Sequence, residues 1–491
     1  MPPPPESPSA PIPEPAAAAD PRRAWARIPR VDLPKRPAAE RLADFAEIHA
    51  NHDEEAVRAQ ASRCIQCPDP LCREGCALSN RIPEWLALAA RGEFLAAAEV
   101  SRSTSNLPEI CARVCPQERL CEGACILGAR GEPVAIGAIE RFINDHAFAH
   151  GAVTAAPAPP SGFRVAVVGS GPGGLACADE LAQAGHAVTV FDALLVAGGL
   201  LVHGIPAFKL DKEIVARRVD LLRARGVLFR LGAVIGRDFT LADLRRDFDA
   251  IFLGFGAQRP RPLELPGSDL KGVVPALPFL IAKNVRSASA EAAGTDVRGK
   301  AVAVLGGGDT AMDCLRTARR CGAREAVCLY RRDFANMPGS RKEYLNALEE
   351  GARFEFLCHP VAVAADAAGA VRAVKCLRME LGPPDAGGRR LPRPVADSEF
   401  EVAAEVLIVA YGFDPTPLAG TGAAAAPATD RWGSLVVDEN QMTTVPGVFA
   451  GGDSVRGPSL VVHAVRDARR AARGIHGYLR ARAAAAARGD L

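Results

Sequence analysis

Net charge, lysine and long apolar runs are what this 491-residue chain has least of. No hydrophobic stretch approaches the ~20 residues that span a bilayer, so no membrane-crossing helix is expected. The formal charge of +2 supplies no field that would draw nucleic acid or an anionic membrane surface. Eight lysines stand against many arginines, beside abundant alanine, which reads as genome composition and not as a binding surface. The first residues, rich in proline and alanine, lack the apolar core of a secretory signal. Their glutamates and few serines fit an organelle transit peptide poorly, and residues 1–30 read as a disordered tail. A cytoplasmic location is expected, where thiols stay reduced.

Against these absences stand 14 cysteines, eight of them between Cys64 and Cys125. Cys64, Cys67, Cys72 and Cys76 are spaced C-x2-C-x4-C-x3-C. Cys111, Cys115, Cys121 and Cys125 are spaced C-x3-C-x5-C-x3-C. Thiols this dense are a disulfide framework or ligands for a soft metal, and a reducing compartment favours metal. Four-thiolate zinc is one reading of such spacings. Iron–sulfur clusters are the other, and the rest of the chain supplies a reason for them.

Hydrophobic content of 48% suffices for sizeable cores, and the length predicts about three domains. Helix-like segments at Ala39–His49 and Asp53–Arg63 lead to Cys64, and Ile82–Ser101 between the cysteine groups carries apolar residues at helical spacing. A further helix is expected over Ile136–His150. Gly151–Gly162, mostly alanine, proline and glycine, reads as a linker. Then Arg164 opens a short apolar strand, V-A-V-V, followed by G-S-G-P-G-G, an alanine-rich helix and a strand ending at Asp192. This is G-x-G-x-x-G in a strand–turn–helix–strand setting, with an acid about twenty residues on to hold a ribose hydroxyl. The pattern repeats at A-V-A-V-L (301–305), G-G-G-D-T-A and a strand ending in Arg331 and Arg332. Guanidinium groups at that strand end suit a 2′-phosphate, which selects NADP.

Two dinucleotide folds call for two nucleotides. Asp192 disfavours a 2′-phosphate at the first, and the turn at Gly198–Leu200 suits a flavin. G-V-F-A-G-G-D (Gly447–Asp453) ends a strand and precedes a helix, which suits an FAD ribitol. The FAD domain is therefore discontinuous, with the NADP domain inserted. NADPH gives up two electrons as hydride, a cluster accepts one at a time, and a flavin mediates between them. A disulfide reductase also pairs FAD with NADP but needs a redox cysteine pair beside the flavin. Cys177, Cys314, Cys321, Cys328, Cys358 and Cys376 form no C-x-x-C and read as small core residues.

From about Arg30 to Tyr478 the chain resembles the small (β) subunits of bacterial NADPH-dependent glutamate synthases. The resemblance lies in C-P-Q-E-R-L-C-E-G-A-C, G-I-P-A-F-K-L, L-P-F-L-I-A, G-G-G-D-T-A-M-D-C, Y-R-R-D, N-M-P-G-S-R and F-A-G-G-D. The N-terminal module is also similar to that of dihydropyrimidine dehydrogenase and of electron-bifurcating flavoproteins. The resemblance implies FAD, NADP(H) and two [4Fe–4S] clusters with interleaved ligands. Cys64, Cys67, Cys72 and Cys125 would hold one cluster, and Cys76, Cys115, Cys121 and Glu140 the other, leaving Cys111 outside both. It further implies a large α subunit as partner, which hydrolyses glutamine and reduces 2-iminoglutarate at its own FMN. Ala77 departs from a proline usual in that family. Ala468 departs from a glycine near the presumed flavin contact.

The expected architecture is α/β, with a helical cluster domain (31–150), an FAD domain (163–285 and 436–485) and an NADP domain (286–435). Candidate FAD contacts are Gly169, Ser170, Gly171, Pro172, Gly173, Gly174, Asp192, Gly199, Leu200, Lys209, Gly452, Asp453, Leu460 and Val461. Candidate NADP contacts are Gly306, Gly307, Gly308, Asp309, Thr310, Ala311, Arg331, Arg332, Arg341 and Gly412. No catalytic acid, base or nucleophile is expected. Competing functions are an electron-input subunit for a pyrimidine reductase or ferredoxin, and a non-catalytic redox-sensing scaffold.

Overall fold

The computed structural model describes residues 21–156, 158–284, 295–384, 390–418 and 426–488. Its first domain is built from short helices: α1 (Ala38–Ala43), α2 (Glu54–Ser62), α3 (Leu71–Glu74), α4 (Ile82–Ala90), α5 (Phe94–Thr104), α6 (Pro108–Val114) and α7 (Ile136–Ala149). Trp85, Leu86, Phe94, Ile139 and Ile143 form its core, and five of the clustered cysteines pack on that core from the loops. The expected helix at Ala39–His49 is shorter, because the Asp44 side chain takes Arg36 and the Ala46 amide, and His49 bridges back to Lys35. The expected tail also ends earlier than residue 30. Residues 1–20 lie outside the described residues, but Ala24 is buried and Arg30 pairs with Glu122 at 2.8 Å.

The second domain runs β1 (Arg164–Val168), α8 (Pro172–Gln183), β2 (Ala187–Asp192), α9 (Leu200–His203), α10 (Lys212–Ala224), β3 (Leu228–Leu231), α11 (Leu241–Asp247) and β4 (Ala250–Leu253). After β4 the chain crosses at β5 (Arg259–Pro260) into a second sheet. That part contains β6 (Val273–Pro275), α12 (Ala276–Asn284), β7 (Ala301–Leu305), α13 (Asp309–Arg320), β8 (Glu325–Tyr330), α14 (Arg341–Glu349) and β9 (Arg353–Phe356). An antiparallel meander follows, β10 (Cys358–Ala365), β11 (Val371–Pro384) and β12 (Arg390–Ala403), before β13 (Val406–Val409) closes the sheet. The chain returns through β14 (Phe413–Asp414) to β15 (Val448–Ala450), α15 (Asp453–Arg456) and α16 (Val461–Arg488).

Both five-stranded sheets are parallel, ordered β15-β4-β1-β2-β3 and β6-β13-β7-β8-β9. Their central strands are apolar throughout because both faces are covered. In the second sheet α12, α13 and α14 cover one face and the meander the other. The first sheet takes its last strand from the far end of the chain, as a discontinuous domain requires. The boundaries differ from those expected. β6 and α12 belong to the second sheet, so the first crossing falls at β5 and not near residue 285. The return falls at β14, which pairs with β5. Leu418 and Leu435 already pack on the first sheet, ahead of residue 436.

Candidate functional site

In the first dinucleotide fold the glycines are dictated by contact. Gly169 has φ +101°, and a Cβ there would lie 2.4 Å from the Gly254 carbonyl oxygen. A Cβ on Gly174 would lie 1.8 Å from the Gly169 oxygen, so α8 approaches β1 as closely as only glycine permits. Asp192 Oδ2 accepts from Ser170 N and Oγ at 2.6 and 2.5 Å, which pins the turn to the end of β2. Opposite, Gly452 (φ +70°) delivers Asp453, whose carboxyl burial pushes up to about 7. Leu460 and Val461 open the last helix beside it.

These groups line one cavity of about 1040 Å³, large enough for a dinucleotide. All the candidate FAD contacts border it except Ser170, which is buried against Asp192, and Gly174, which is packed on β1. Lys209 borders it but is already engaged: its Nζ donates to Asp313 at 3.0 Å and lies 3.6 Å from Glu343. These two acids raise its pKa, against the opposing effect of burial, and tie the first domain to α13 and α14. Ala468 is fully buried in the core under α8 and does not itself border the cavity, whereas Ala464, one turn earlier on the same helix, does. Sequence reasoning missed Gly254–Gln258, which continue the cavity wall past β4. Gly254 and Gly256 after a buried strand were the signal.

In the second fold Gly306 (φ +126°) faces the Ala410 oxygen, Gly307 faces the Tyr330 ring, and Gly308 caps α13, which begins Asp309, Thr310, Ala311. Asp309 and Thr310 reach the far end of the same cavity. Arg331 and Arg332 follow β8, and Gly412 (φ +94°) follows β13, so all stand at the carboxyl edge of the sheet. Arg341 opens α14 over the Phe334 ring at 4.7 Å. Among the described residues no carboxylate pairs with Arg331, Arg332 or Arg341, and Arg332 Nε is buried without a partner.

The cysteines sort crosswise. Cys64, Cys67, Cys72 and Cys125 line one small apolar cavity with Leu71, Leu86 and Ile136. Burial pushes the thiols of Cys64 and Cys72 up to about 11 and 12. Cys76, Cys115 and Cys121 are all raised and all feel the charge of Glu140. Glu140 Oε1 accepts from Asn80 at 2.8 Å and Ser101 at 3.0 Å, two residues that sequence reasoning missed. Burial pushes the Glu140 carboxyl to about 7. Cys111 is buried on α6 beside Cys115. All 14 cysteines are free. Among the described residues, no three Cys, His, Asp or Glu side chains converge as one metal ion needs. A tetrahedral zinc site would bring sulfurs to ~3.8 Å of one another. Four thiols around a cavity fit a larger polynuclear group, which would ionise them.

Cys115, Pro116 and Gln117 border the large cavity, so the second thiol group abuts the dinucleotide cleft. Cys115 is its one cysteine, and Cys177, Cys314, Cys328, Cys358 and Cys376 are fully buried. No dithiol faces the cleft among the described residues. Nor is any helix there long and apolar enough to cross a membrane.

Comparison with known proteins agrees with this arrangement. Residues 41–152 match the family described as dihydropyrimidine dehydrogenase domain II, 4Fe-4S cluster, and residues 163–468 match the pyridine nucleotide-disulphide oxidoreductases. Mycobacterium tuberculosis FprA in complex with NADPH shares the fold, with TM-score 0.57 and 21% identity over 67% of this chain and 86% of that one. The protein is thus an oxidoreductase of the pyridine nucleotide class with an added iron–sulfur domain. It is 47% identical to the glutamate synthase [NADPH] small chain of Azospirillum brasilense over 92% of this chain and 95% of that one. It is 46% identical to the putative oxidoreductase AegA of Escherichia coli, over 89% of this chain and 68% of that one. The chain belongs to the family of glutamate synthase small chains.

Proposed function

We propose that this chain is the cytoplasmic electron-input subunit of a glutamate synthase. It would take electrons from NADPH and pass them through FAD and two [4Fe–4S] clusters to a large subunit that makes glutamate from glutamine and 2-oxoglutarate. The observation that carries the reading is the shared cavity: its wall runs from Asp309 in the second fold, past Gly171 and Gly452, to Cys115 in the cluster domain. The turn at Gly169–Gly174 would hold the FAD pyrophosphate at the amino end of α8, and Asp192 its ribose. Arg331 and Arg332 would hold the 2′-phosphate of NADPH. Cys76, Cys115, Cys121 and Glu140 would hold the cluster beside the cleft, and Cys64, Cys67, Cys72 and Cys125 the outer one. Leu71 and Ile126, each 45% exposed, stand beside the outer set near the surface.

Anaerobic co-purification tests the partner. A large chain carrying FMN and glutaminase activity should accompany this one, with about eight irons and eight acid-labile sulfides per small chain. Zinc without labile sulfide would falsify the cluster reading. Retrieval of an intact complex with a different acceptor would favour general electron input, since a longer relative is named only as a putative oxidoreductase.

Two substitution sets separate the residue roles. Glu140→Ala should remove the inner cluster and about half of the iron, while Cys111→Ser leaves the iron content intact. The opposite pattern would make Cys111 the ligand. Arg331→Ala with Arg332→Ala should raise KM for NADPH about tenfold or more and leave KM for NADH within about twofold. An equal rise for both nucleotides would count against the 2′-phosphate role.

A further inference from the structure

Arg119 belongs to the cluster domain, yet its guanidinium lies at the amino end of α13. Nη1 donates to the Pro338 carbonyl at 2.7 Å, and Nη2 lies 3.9 Å from Asp309 Oδ2. Asp309 directly follows the glycine turn, and an acid there opposes an anion approaching the helix terminus. A nearby cation offsets that charge. The Arg119–Asp309 pair is long and Arg119 is 46% exposed, so it adds little to stability. The placement is nonetheless well supported. Gly339 N donates to the Gly307 oxygen at 2.9 Å, which lays the Pro338–Ser340 loop along the glycine turn. Ser340 Oγ in turn donates to Glu118 Oε1 at 2.7 Å, which clamps the segment carrying Arg119 to that loop. One guanidinium nitrogen is held by a backbone carbonyl, and the other terminal nitrogen lies beside Asp309, the first residue of α13 after the glycine turn.

We infer that Arg119 completes the nucleotide site from the cluster domain by binding the pyrophosphate of the dinucleotide; this rests on the proposed placement of NADPH at Gly306–Ala311. The same segment joins Cys115 to Cys121, so full nucleotide affinity requires a docked cluster domain. Donor binding and the exit route for electrons are thereby coupled.

Calorimetric titration of the full-length holoprotein with NADP+ and with 2′-AMP, which has the 2′-phosphate but no pyrophosphate, tests this. Arg119→Ala should weaken NADP+ binding about tenfold and leave 2′-AMP within about twofold, with Arg119→Lys between the wild type and the alanine variant. KM should rise by the same factor for NADPH and NADH, unlike the Arg331 and Arg332 variants. Iron, labile sulfide and FAD contents should not change. Unaltered NADP+ binding, equal weakening of 2′-AMP, or loss of iron in step with affinity would each overturn the assignment. Failure of the unmodified protein to bind NADP+ overturns the nucleotide placement and this inference with it.

Discussion

Glu109→Ala is expected to destabilise the protein by about 3–5 kcal/mol. Glu109 on α6 accepts two bonds from Arg218 on α10, at 2.9 and 2.7 Å, with side-chain exposures of 0% and 3%. Removing the carboxylate strips a buried guanidinium of its hydrogen-bonded counter-charge, leaving only the field of Asp179, which is already paired with Arg225, and that cost exceeds what the intact pair contributes. The pair also joins the cluster domain to the first dinucleotide fold. Loss of docking should therefore slow electron exit from the flavin more than its reduction. Denaturant unfolding gives the stability change. Stopped-flow traces of flavin reduction and reoxidation give the two rates. The double variant Glu109→Leu with Arg218→Leu should recover most of the stability, because neither charge is then stranded. A single variant as stable as the wild type would mean that water reaches Arg218.

Gly174→Ala should abolish flavin binding. The added Cβ would lie 1.8 Å from the Gly169 carbonyl oxygen and 3.4 Å from Val167 Cγ1. The first contact is with backbone, which can yield only if α8 moves off β1. That movement opens the turn whose amides would face the FAD pyrophosphate. The expected result is protein with less than about a tenth of the wild-type flavin content, with a stability loss of ~2–3 kcal/mol from overpacking. The corresponding position of the second fold is Ala311, which is already accommodated, so Ala311→Gly should leave flavin content unchanged. Absorbance of released flavin per chain measures both. Full flavin occupancy in Gly174→Ala would show that the helix shifts without cost.

How much of this was legible beforehand differs from feature to feature. Both glycine turns and the strand-end residues Asp192, Arg331 and Arg332 could be placed because each fingerprint lies within about thirty residues of chain, and local geometry sets the spacing. The insertion of one fold into the other was legible from the order of motifs, but its crossing points were not. The pairing of β5 with β14 links segments some 150 residues apart through two short strands that leave no periodicity. Lys209, read from the sequence as an FAD contact, borders the cleft, but its partners Asp313 and Glu343 come from the other fold.

The cysteine spacings by themselves gave two apparent quartets. The crosswise grouping came from family resemblance, and the structure places Cys125 with Cys64, Cys67 and Cys72 around one cavity. What the sequence determined was therefore the chemistry available: thiols for a soft metal, two nucleotide turns and two adjacent arginines at a strand end. What tertiary structure decided was adjacency. Cys115 beside the cleft, Asn80 and Ser101 on Glu140, and Arg119 at α13 each join segments far apart in the chain. Such contacts arise from the packing of whole domains, which no local pattern of residues encodes.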